Sequence, residues 1–306
     1  MGLIRRVAVK VPATTSNLGP GFDCVGLALN LYNELTLELY SEPGMTIVEI
    51  SGEGRDLPHD EKNPIVQAAR LLLGKNRGLG RMVFRCVNGI PPGRGLGSSA
   101  AAALCGLYAA NSLFSPRLES VQRLEELAIG LEGHPDNVAA AVRGGMVVSA
   151  RDEGRYVAHP VKPHRDLAVV VCSPDYELPT KKSRAALPGK IAREDSVFNT
   201  ARAMILLSAV EKGQWDKLTL AMQDRLHQPY RAPLIKGMKD VIAAAVGAGS
   251  CGAALSGAGP SIIALCESGR RASLIGGIMQ KAFSKHGVTS EYRILQCDRK
   301  GLQVAR

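Results

Sequence analysis

The stretch Pro91-Pro92-Gly93-Arg94-Gly95-Leu96-Gly97-Ser98-Ser99-Ala100 is a glycine-rich loop that runs directly into a series of good helix formers. Its three glycines allow the backbone to turn tightly and to approach a ligand closely. The two serines are typical of a helix N-terminus, where unpaired N–H groups and the positive end of the helix dipole attract anions. The stretch therefore predicts a phosphate-binding loop, with all ten residues as candidate nucleotide contacts.

The loop matches neither of the two common phosphate-binding motifs. A P-loop requires a lysine before Ser or Thr, and this loop contains no lysine. A dinucleotide-binding fingerprint requires a third glycine where this chain has Ser98. A plain glycine-rich connection capped by serine therefore stays open as an alternative for the stretch taken alone.

The composition is that of a globular protein with one large domain or two halves: 306 residues, of which 45% are hydrophobic and 22% charged. The formal net charge is +10, from 38 basic and 28 acidic residues, which suits a polyanionic ligand such as a nucleotide or a nucleic acid. The basic residues are scattered, and the aromatic content of 4% argues against base stacking. We therefore expect no nucleic-acid partner.

The chain has seven cysteines, and the absence of any C-x-x-C pair excludes the zinc and thioredoxin-like sites that depend on that spacing. Most of the cysteines lie in apolar stretches and are expected to be buried, reduced thiols. No signal-peptide core follows the N-terminus, and no apolar stretch is long enough to cross a membrane. We therefore expect a cytoplasmic protein without a membrane partner.

Hydrophobic periodicity predicts strands and helices along the whole chain. Asn63-Pro64 is typical of a helix start, and Ser115-Pro116 predicts another. Residues 12–22 and 176–188 are predicted as loops, and a domain boundary is predicted within 151–165. Because predicted strands are often adjacent in sequence, the pattern favours an α+β fold. Strands are predicted at 5–11, 35–39, 45–50, 81–87, 146–149, 167–172, 251–255, 261–266 and 290–297, and the remaining helices at 100–114, 196–211, 233–246 and 268–286.

Three motifs follow one another in order: PATTSNLGPGFD at 12–23, PPGRGLGSSA at 91–100 and SGAGPS at 256–261. Together they resemble the motifs of the GHMP kinases, a family of small-molecule kinases, and the resemblance covers nearly the whole chain. It implies a two-lobed α+β fold. The N-terminal half, residues 1–155, would be the ATP-binding domain and similar to domain 2 of ribosomal protein S5. The C-terminal half, residues 156–306, would be ferredoxin-like.

Further motifs resemble the branch of this family that phosphorylates L-homoserine: NLGPGFD at 17–23, EGHPDN at 132–137 and PYR at 229–231. This resemblance implies transfer of a phosphoryl group from ATP to the side-chain hydroxyl of L-homoserine, giving O-phospho-L-homoserine in threonine biosynthesis. A homodimer is a family-level expectation.

The resemblance also assigns groups to the nucleotide and to Mg²⁺. The glycine-rich loop wraps the phosphates, and the hydroxyl of Ser98 contacts the metal. Magnesium takes one or two carboxylates beside phosphate and water, and Glu132 is the expected ligand by its motif. Glu126 is the alternative, although a position on a solvated helix face explains Glu126 better. Asn63 resembles the asparagine that contacts the base or the ribose.

Homoserine is a zwitterion, so its site needs a cation for the carboxylate and an anion for the ammonium group. Arg184 and Arg231 suit the carboxylate, because a guanidinium binds it with two parallel hydrogen bonds. Asp23 suits the ammonium group. A surface charge in a basic loop is the alternative for Arg184, and a turn residue is the alternative for His134. The resemblance completes the substrate contacts with Asn17, His134, Asn137 and Thr180.

The catalytic candidates are Asp136, Asn137 and Arg184, and one of them departs from the wider family. Other branches place an aspartate as base where this chain has Asn137, together with a lysine that residues 12–22 lack. A carboxamide cannot accept a proton, and the adjacent Asp136 need not face the substrate. We therefore predict catalysis without a dedicated side-chain base, which the loose transition state of phosphoryl transfer permits.

Two other functions stay open at this point. A mevalonate-type GHMP kinase would bind a substrate without an ammonium group, for which Asp23 has no use. A non-catalytic RNA-binding protein would fit the net charge and the S5-like fold. The scattered basic residues and the few aromatic residues count against it.

Overall fold

The computed structural model describes residues 2–74, 80–113 and 118–305 and contains two β-sheets. The first sheet has the strand order β11-β1-β2-β4-β3, with β5 paired to β2 and β6 to β5. The strands of this sheet are β1 (Leu3–Asn17), β2 (Gly21–Tyr40), β3 (Ile47–Gly52), β4 (Met82–Asn88), β5 (Met146–Asp152), β6 (Arg155–Val161) and β11 (Gln303–Ala305).

The second sheet is antiparallel, with the order β10-β7-β9-β8. Its central strand β7 is buried along its whole length, which confirms the continuous apolar run at 167–172 as an interior strand. The strands of this sheet are β7 (Leu167–Pro174), β8 (Gly252–Leu255), β9 (Ile262–Glu267) and β10 (Ser290–Gln296).

Helices cover both sheets. Helix α2 packs on β1 and β2 and against α1, so it lies at the centre of the first half, while α9 and α10 cover the second sheet. None of the helices in the described ranges is both long and apolar enough to cross a lipid bilayer. The helices are α1 (Pro64–Leu73), α2 (Ser98–Ser112), α3 (Val121–Glu132), α4 (Asp136–Arg143), α5 (Thr180–Ala185), α6 (Arg193–Lys212), α7 (Leu218–Ala221), α8 (Gln228–Arg231), α9 (Met238–Gly247) and α10 (Ala272–Lys285).

The predicted loop at 12–22 is wrong for most of its length, because β1 continues to Asn17 and β2 begins at Gly21. The turn-forming residues fit a strand here because their hydroxyls find partners: the Thr14 hydroxyl donates to Asn137, and the Thr15 hydroxyl is hydrogen-bonded to the Ser256 hydroxyl. The proline in this strand is tolerated because the β1–β2 register shifts directly after it.

Other differences between the predicted and the observed elements have local causes. The predicted loop at 176–188 contains the short helix α5, and the helix predicted from residue 233 begins only at Met238 because Gly237, with φ of +76°, interrupts it. The helix start predicted at 115–116 lies outside the described residues, and α3 has Ser120 as its N-cap.

The two predicted domains share the first sheet in part. The predicted boundary between residues 155 and 156 falls at the start of β6, which pairs with β5, and β11 from the end of the chain pairs with β1. The division at 155 stays a prediction. All seven cysteines carry free thiols, and Cys86, Cys105, Cys172 and Cys266 are buried as expected.

Candidate active site

The glycine-rich loop leads directly into the N-terminus of α2. Gly93, Gly95 and Gly97 all have positive φ, between +65° and +75°, so the loop uses a backbone conformation that other residues rarely adopt. Gly97 is the N-cap, and Ser98 is the first helical residue. The serines therefore lie in the first turn rather than at the cap. The loop has the form expected of a phosphate-binding loop, because it ends at the backbone N–H groups of the first turn of a 15-residue helix.

Contacts with the second half of the chain hold both edges of this loop. The Arg94 guanidinium pairs with Asp175 at 3.0 Å, and the N–H of Leu178 donates to the Gly93 carbonyl at 3.1 Å. The Ser256 hydroxyl donates to the Gly95 carbonyl at 2.6 Å, so the motif at 256–261 folds back beside the loop. A Cβ at Gly95 would lie 2.3 Å from the Ser256 carbonyl oxygen, so this position requires glycine.

The loop forms one wall of a cleft of about 270 Å³ between the two halves. Most of the predicted site residues line this cleft, although they come from distant parts of the chain. Three predicted residues lie elsewhere and are treated below. The predicted residues that line the cleft are Asn17, Asp23, Pro91 to Ser99, Glu132, His134, Asp136, Asn137, Thr180, Arg184 and Arg231.

Glu132, at the end of α3, faces the first turn of α2. The hydroxyl of Ser99 donates to the Glu132 carboxylate at 2.8 Å, whereas the hydroxyl of Ser98 is directed at the Ile90 carbonyl at 3.4 Å. Burial raises the pKa of Glu132, and the hydrogen bond from Ser99 only partly opposes this effect. A cation beside this carboxylate would favour its charged form, so the pair of Glu132 and a loop serine fits the predicted metal position.

A buried network surrounds Asn137 at the start of α4. The Thr14 hydroxyl donates to the Asn137 side-chain oxygen at 2.8 Å, and the amide nitrogen of Asn137 donates to Ser16 at 3.2 Å. Both ends of the carboxamide are therefore fixed. Asp136 Oδ1 accepts from the Asn137 backbone N–H at 2.7 Å and from Nδ1 of His134 at 2.7 Å.

His134 and Asp136 form an imidazole–carboxylate pair at the cleft wall. Because an ionised carboxylate only accepts hydrogen bonds, Nδ1 of His134 carries the proton. Burial lowers the pKa of His134, but the hydrogen bond and the charge of Asp136 outweigh it, and the pKa is raised above its usual value. This pair is the titratable unit closest to Asn137 in the network.

Asp23 and Arg184 form a two-bond ion pair across the cleft. The guanidinium nitrogens lie 3.0 and 2.6 Å from the two carboxylate oxygens, and each side chain is 33% exposed. The hydrogen bond from Asp23 raises the pKa of Arg184. Asp23 comes from β2, with φ of +56°, and Arg184 comes from α5. Arg184 therefore lines the cleft and is not a surface charge in a solvated loop.

Arg231 is almost fully buried at the cleft, with 1% of its surface accessible. Its Nη1 donates to the Gly257 carbonyl at 2.9 Å, and its Nε has no hydrogen-bond partner. Among the described residues, no carboxylate forms an ion pair with this guanidinium. Burial lowers the pKa of Arg231 to about 10, and the nearby charge of Arg184 adds to this effect. The charges of Asp23, Asp224 and Asp136 oppose this shift without forming an ion pair, so a ligand carboxylate would supply the direct partner that the buried guanidinium lacks.

Comparisons with known proteins agree with this geometry. The family model described as "GHMP kinases N terminal domain" matches residues 63–145, and the model "GHMP kinases C terminal" matches residues 206–285. The chain is 44% identical to a homoserine kinase of Moorella thermoacetica over 284 residues, which covers 92% of this chain and 93% of that protein. The chain belongs to the GHMP kinase family, in its homoserine kinase branch.

Two further relatives support the branch. A homoserine kinase of Nostoc punctiforme is 41% identical over 303 residues, with 98% of this chain and 99% of that protein covered. The crystal structure of homoserine kinase from Cytophaga hutchinsonii superposes with a TM-score of 0.86 at 30% identity, over 100% of this chain and 99% of that chain. The predicted family and its α+β fold are therefore confirmed.

Three predicted residues of this GHMP kinase do not line the cleft. Asn63 is buried and caps α1: its side-chain oxygen accepts from the Ile65 N–H, and its amide donates to the Pro58 carbonyl. Ala100 is buried inside α2. Glu126 pairs with Arg123 at 3.2 Å on a more exposed face of α3. A nucleotide contact from Asn63 and a metal contact from Glu126 stay predictions that the cleft geometry does not favour.

Sequence reasoning missed Thr14, Ser16 and His227, which hold the predicted residues in place. The sequence pattern predicts a loop at 12–22, whereas on a strand Thr14 and Ser16 lie two residues apart and share one face. His227 lies four residues before Arg231, the spacing of neighbours on a helix. That spacing was the available signal for His227.

Proposed function

We propose that this protein transfers the γ-phosphoryl group of ATP to the side-chain hydroxyl of L-homoserine, giving O-phospho-L-homoserine and ADP. The observation that carries this proposal is the buried, unpaired guanidinium of Arg231 beside the Asp23–Arg184 ion pair. Both lie in the cleft that the phosphate-binding loop borders. The charges of the cleft are thus complementary to a small zwitterion placed next to a polyphosphate.

The charges favour an amino acid over a plain hydroxy acid. The substrate carboxylate would supply the anion that Arg231 lacks, and Arg184 would add a second cation. The ammonium group would bind the Asp23 carboxylate and would replace part of the ion pair that Asp23 forms with Arg184. A substrate such as mevalonate carries a carboxylate but no ammonium group, so it could not replace Arg184 at the Asp23 carboxylate. Asn17, His134 and Thr180 would complete the polar contacts.

ATP would lie with its phosphates along residues 93–99 and against the N-terminus of α2. The three positive-φ glycines and the close approach of the loop to the Ser256 carbonyl fit a backbone that wraps phosphate oxygens. Glu132 and the hydroxyl of Ser98 or Ser99 would hold Mg²⁺. When bound, the metal would neutralise charge on the phosphates.

Positioning carries most of the proposed mechanism. Asn137, fixed at both ends of its carboxamide by Thr14 and Ser16, would orient the substrate hydroxyl toward the phosphoryl group. Arg184 would hold the carboxylate and add positive charge near the transferring group. The proton of the hydroxyl would leave late, because the transition state is loose. The transferred phosphoryl group would take up this proton, so no dedicated side-chain base is needed.

The test is ADP release with Mg·ATP and a panel of L-homoserine, L-threonine, L-serine, mevalonate and galactose. We expect strong turnover with L-homoserine alone. Turnover with another alcohol would retain the kinase but overturn the substrate assignment, and no turnover with any of them would overturn the function.

The charge argument has its own test in 4-hydroxybutyrate, which is homoserine without the amino group. Asp23→Asn removes the partner of the ammonium group while leaving the carboxylate site. We expect this variant to lose roughly 100-fold in kcat/KM for L-homoserine, the equivalent of one buried charge-assisted contact of about 3 kcal/mol, and to change little with 4-hydroxybutyrate. Equal losses for both compounds would exclude Asp23 as the ammonium partner. Thr180→Val, another cleft residue, is the matched control and should affect both compounds alike.

A further inference from the structure

His227 is buried between the substrate cleft and the turn that joins β1 to β2. Its Nε2 lies 2.8 Å from the Gly19 carbonyl oxygen in that turn. Its Nδ1 lies 3.2 Å from Nη1 of Arg231, which comes one helical turn later in the chain. The ring of Phe22 stacks on the imidazole with centroids 5.3 Å apart. The imidazole therefore bridges the turn and the guanidinium.

These partners leave only one protonation state for the ring. The Gly19 carbonyl can only accept a hydrogen bond, and the Arg231 guanidinium can only donate one. The proton must therefore be on Nε2, and Nδ1 must be an unprotonated acceptor. The ring is a neutral link with a fixed direction: Arg231 donates to His227, and His227 donates to Gly19.

The backbone that carries His227 is fixed by Asp224. This buried carboxylate accepts hydrogen bonds from the backbone N–H groups of Leu226, His227 and Gln228, at 2.8, 3.0 and 2.6 Å, and from the Asn199 amide at 2.7 Å. The Asn199 amide also donates to the Pro20 carbonyl at 3.2 Å. The start of α8 and the β1–β2 turn are therefore joined by buried polar contacts, and His227 has little freedom to move.

The link leaves the Nε–Nη2 edge of Arg231 without a hydrogen-bond partner among the described residues. Nη1 is occupied by the Gly257 carbonyl and by His227. The edge formed by Nε and Nη2 is the remaining pair of parallel donors, and Nε has no partner. A carboxylate binds to such an edge with two hydrogen bonds.

We propose that His227 is a positioning residue for the substrate, which holds Nη1 of Arg231 so that its Nε–Nη2 edge receives the substrate carboxylate. The inference rests on the proposed function, because it takes the ligand of Arg231 to be a carboxylate. His227 also connects Arg231 to the turn before Asp23. The two ends of the zwitterion site are thereby held at a fixed separation.

Two near-isosteric variants separate the two hydrogen bonds of His227. In His227→Asn the amide group takes the place of Nδ1 and can still accept from Arg231, but the bond to Gly19 is lost. In His227→Gln the amide group reaches the position of Nε2 and can still donate to Gly19, but the acceptor for Arg231 is lost. The Asn variant is thus the matched control for the Gln variant.

We expect His227→Gln to raise KM for L-homoserine by at least about 10-fold, the loss of one hydrogen bond to a charged group. His227→Asn should raise it by less than about 3-fold, and KM for ATP should stay unchanged in both. In the background of Arg231→Met, His227→Gln should have no further effect on KM. Equal KM values for the two single variants, or a further loss in the double variant, would overturn the inference.

A measurement of the ring protonation state provides a second test that does not depend on kinetics. Nitrogen-15 NMR of the histidine rings at neutral pH should show one ring with the proton on Nε2 and an unprotonated Nδ1, and this signal should be absent from His227→Gln. A doubly protonated ring, or a proton on Nδ1, would overturn the inference. Failure of the wild-type enzyme to use L-homoserine would instead overturn the proposed function, and the two failures are therefore distinguishable.

Discussion

The neutral state of His227 predicts a specific loss of stability in acid. Burial lowers the pKa of His227 to about 4, from a usual value of 6.5, and the nearby charge of Arg231 adds to this effect while Asp224 and Asp23 oppose it. Between these two pH values the unfolded chain binds a proton that the folded chain does not. The free energy of unfolding therefore falls as the pH is lowered from about 6.5 to about 4.

The size of this loss follows from the difference in pKa. A difference of about 2.5 pH units corresponds to about 3 kcal/mol in full, of which about 2 kcal/mol is lost by pH 4.5. The assay is urea unfolding of the wild type and of His227→Gln at pH 7 and at pH 4.5. The variant lacks the titrating group, so its stability should fall by about 2 kcal/mol less than that of the wild type over this interval.

The comparison removes the effects of other groups, because they titrate in both proteins. The variant is expected to be less stable than the wild type at pH 7, because it lacks one hydrogen bond. The difference between their free energies of unfolding should become smaller as the pH falls. Equal pH dependence of the two proteins would refute the argument, since it would mean that His227 is protonated at the same pH in the folded and unfolded chains.

Three further predictions concern the nucleotide and catalytic parts of the cleft. Gly95→Ala should raise KM for ATP by roughly 10-fold, because its Cβ meets a backbone carbonyl oxygen 2.3 Å away at a positive φ. Gly93→Ala, whose Cβ meets the Glu177 side chain at 2.9 Å and no backbone carbonyl, should raise KM less in the same steady-state assay. Glu132→Gln should lower kcat by roughly 100-fold, because it removes the proposed metal ligand. Its thermal stability should be unchanged or higher, because burial disfavours the charged carboxylate. A variant with the kcat of the wild type at every Mg²⁺ concentration would exclude Glu132 as a metal ligand. Asn137→Ala and Asp136→Asn should each retain measurable single-turnover transfer, whereas a complete loss in Asp136→Asn with homoserine binding intact would contradict catalysis without a base.

The fold was predictable where local patterns decide it. The Asn63 cap and the following proline predicted the start of α1, and the continuous apolar run at 167–172 predicted the buried strand β7. Residues 12–17 were not predictable in the same way. Their hydroxyl and turn-forming residues are stable in a strand only because partners from positions 137 and 256 satisfy them. Local propensity contains no information about those partners.

The site was predictable as a set of residues but not as an arrangement. The motifs supplied Asp23, Arg184 and Arg231, and the structure brings them into one cleft from β2, α5 and α8. That Asp23 and Arg184 pair with each other, while Arg231 has no carboxylate partner among the described residues, could not be derived from the motifs. Pairing depends on which side chains the two halves bring within reach of one another.

This pairing suggests an order of events at the cleft. Asp23 and Arg184 each have a counterion before the substrate arrives, so the unpaired guanidinium of Arg231 is the strongest attraction for an incoming carboxylate. In the proposed binding mode the ammonium group would then compete with Arg184 for Asp23, which a ligand lacking that group cannot do. Because Asp23 belongs to the first half and both arginines to the second, a bound zwitterion would join the two halves beside the phosphate loop. Recognition of the substrate would therefore depend on charged groups from both halves of the chain.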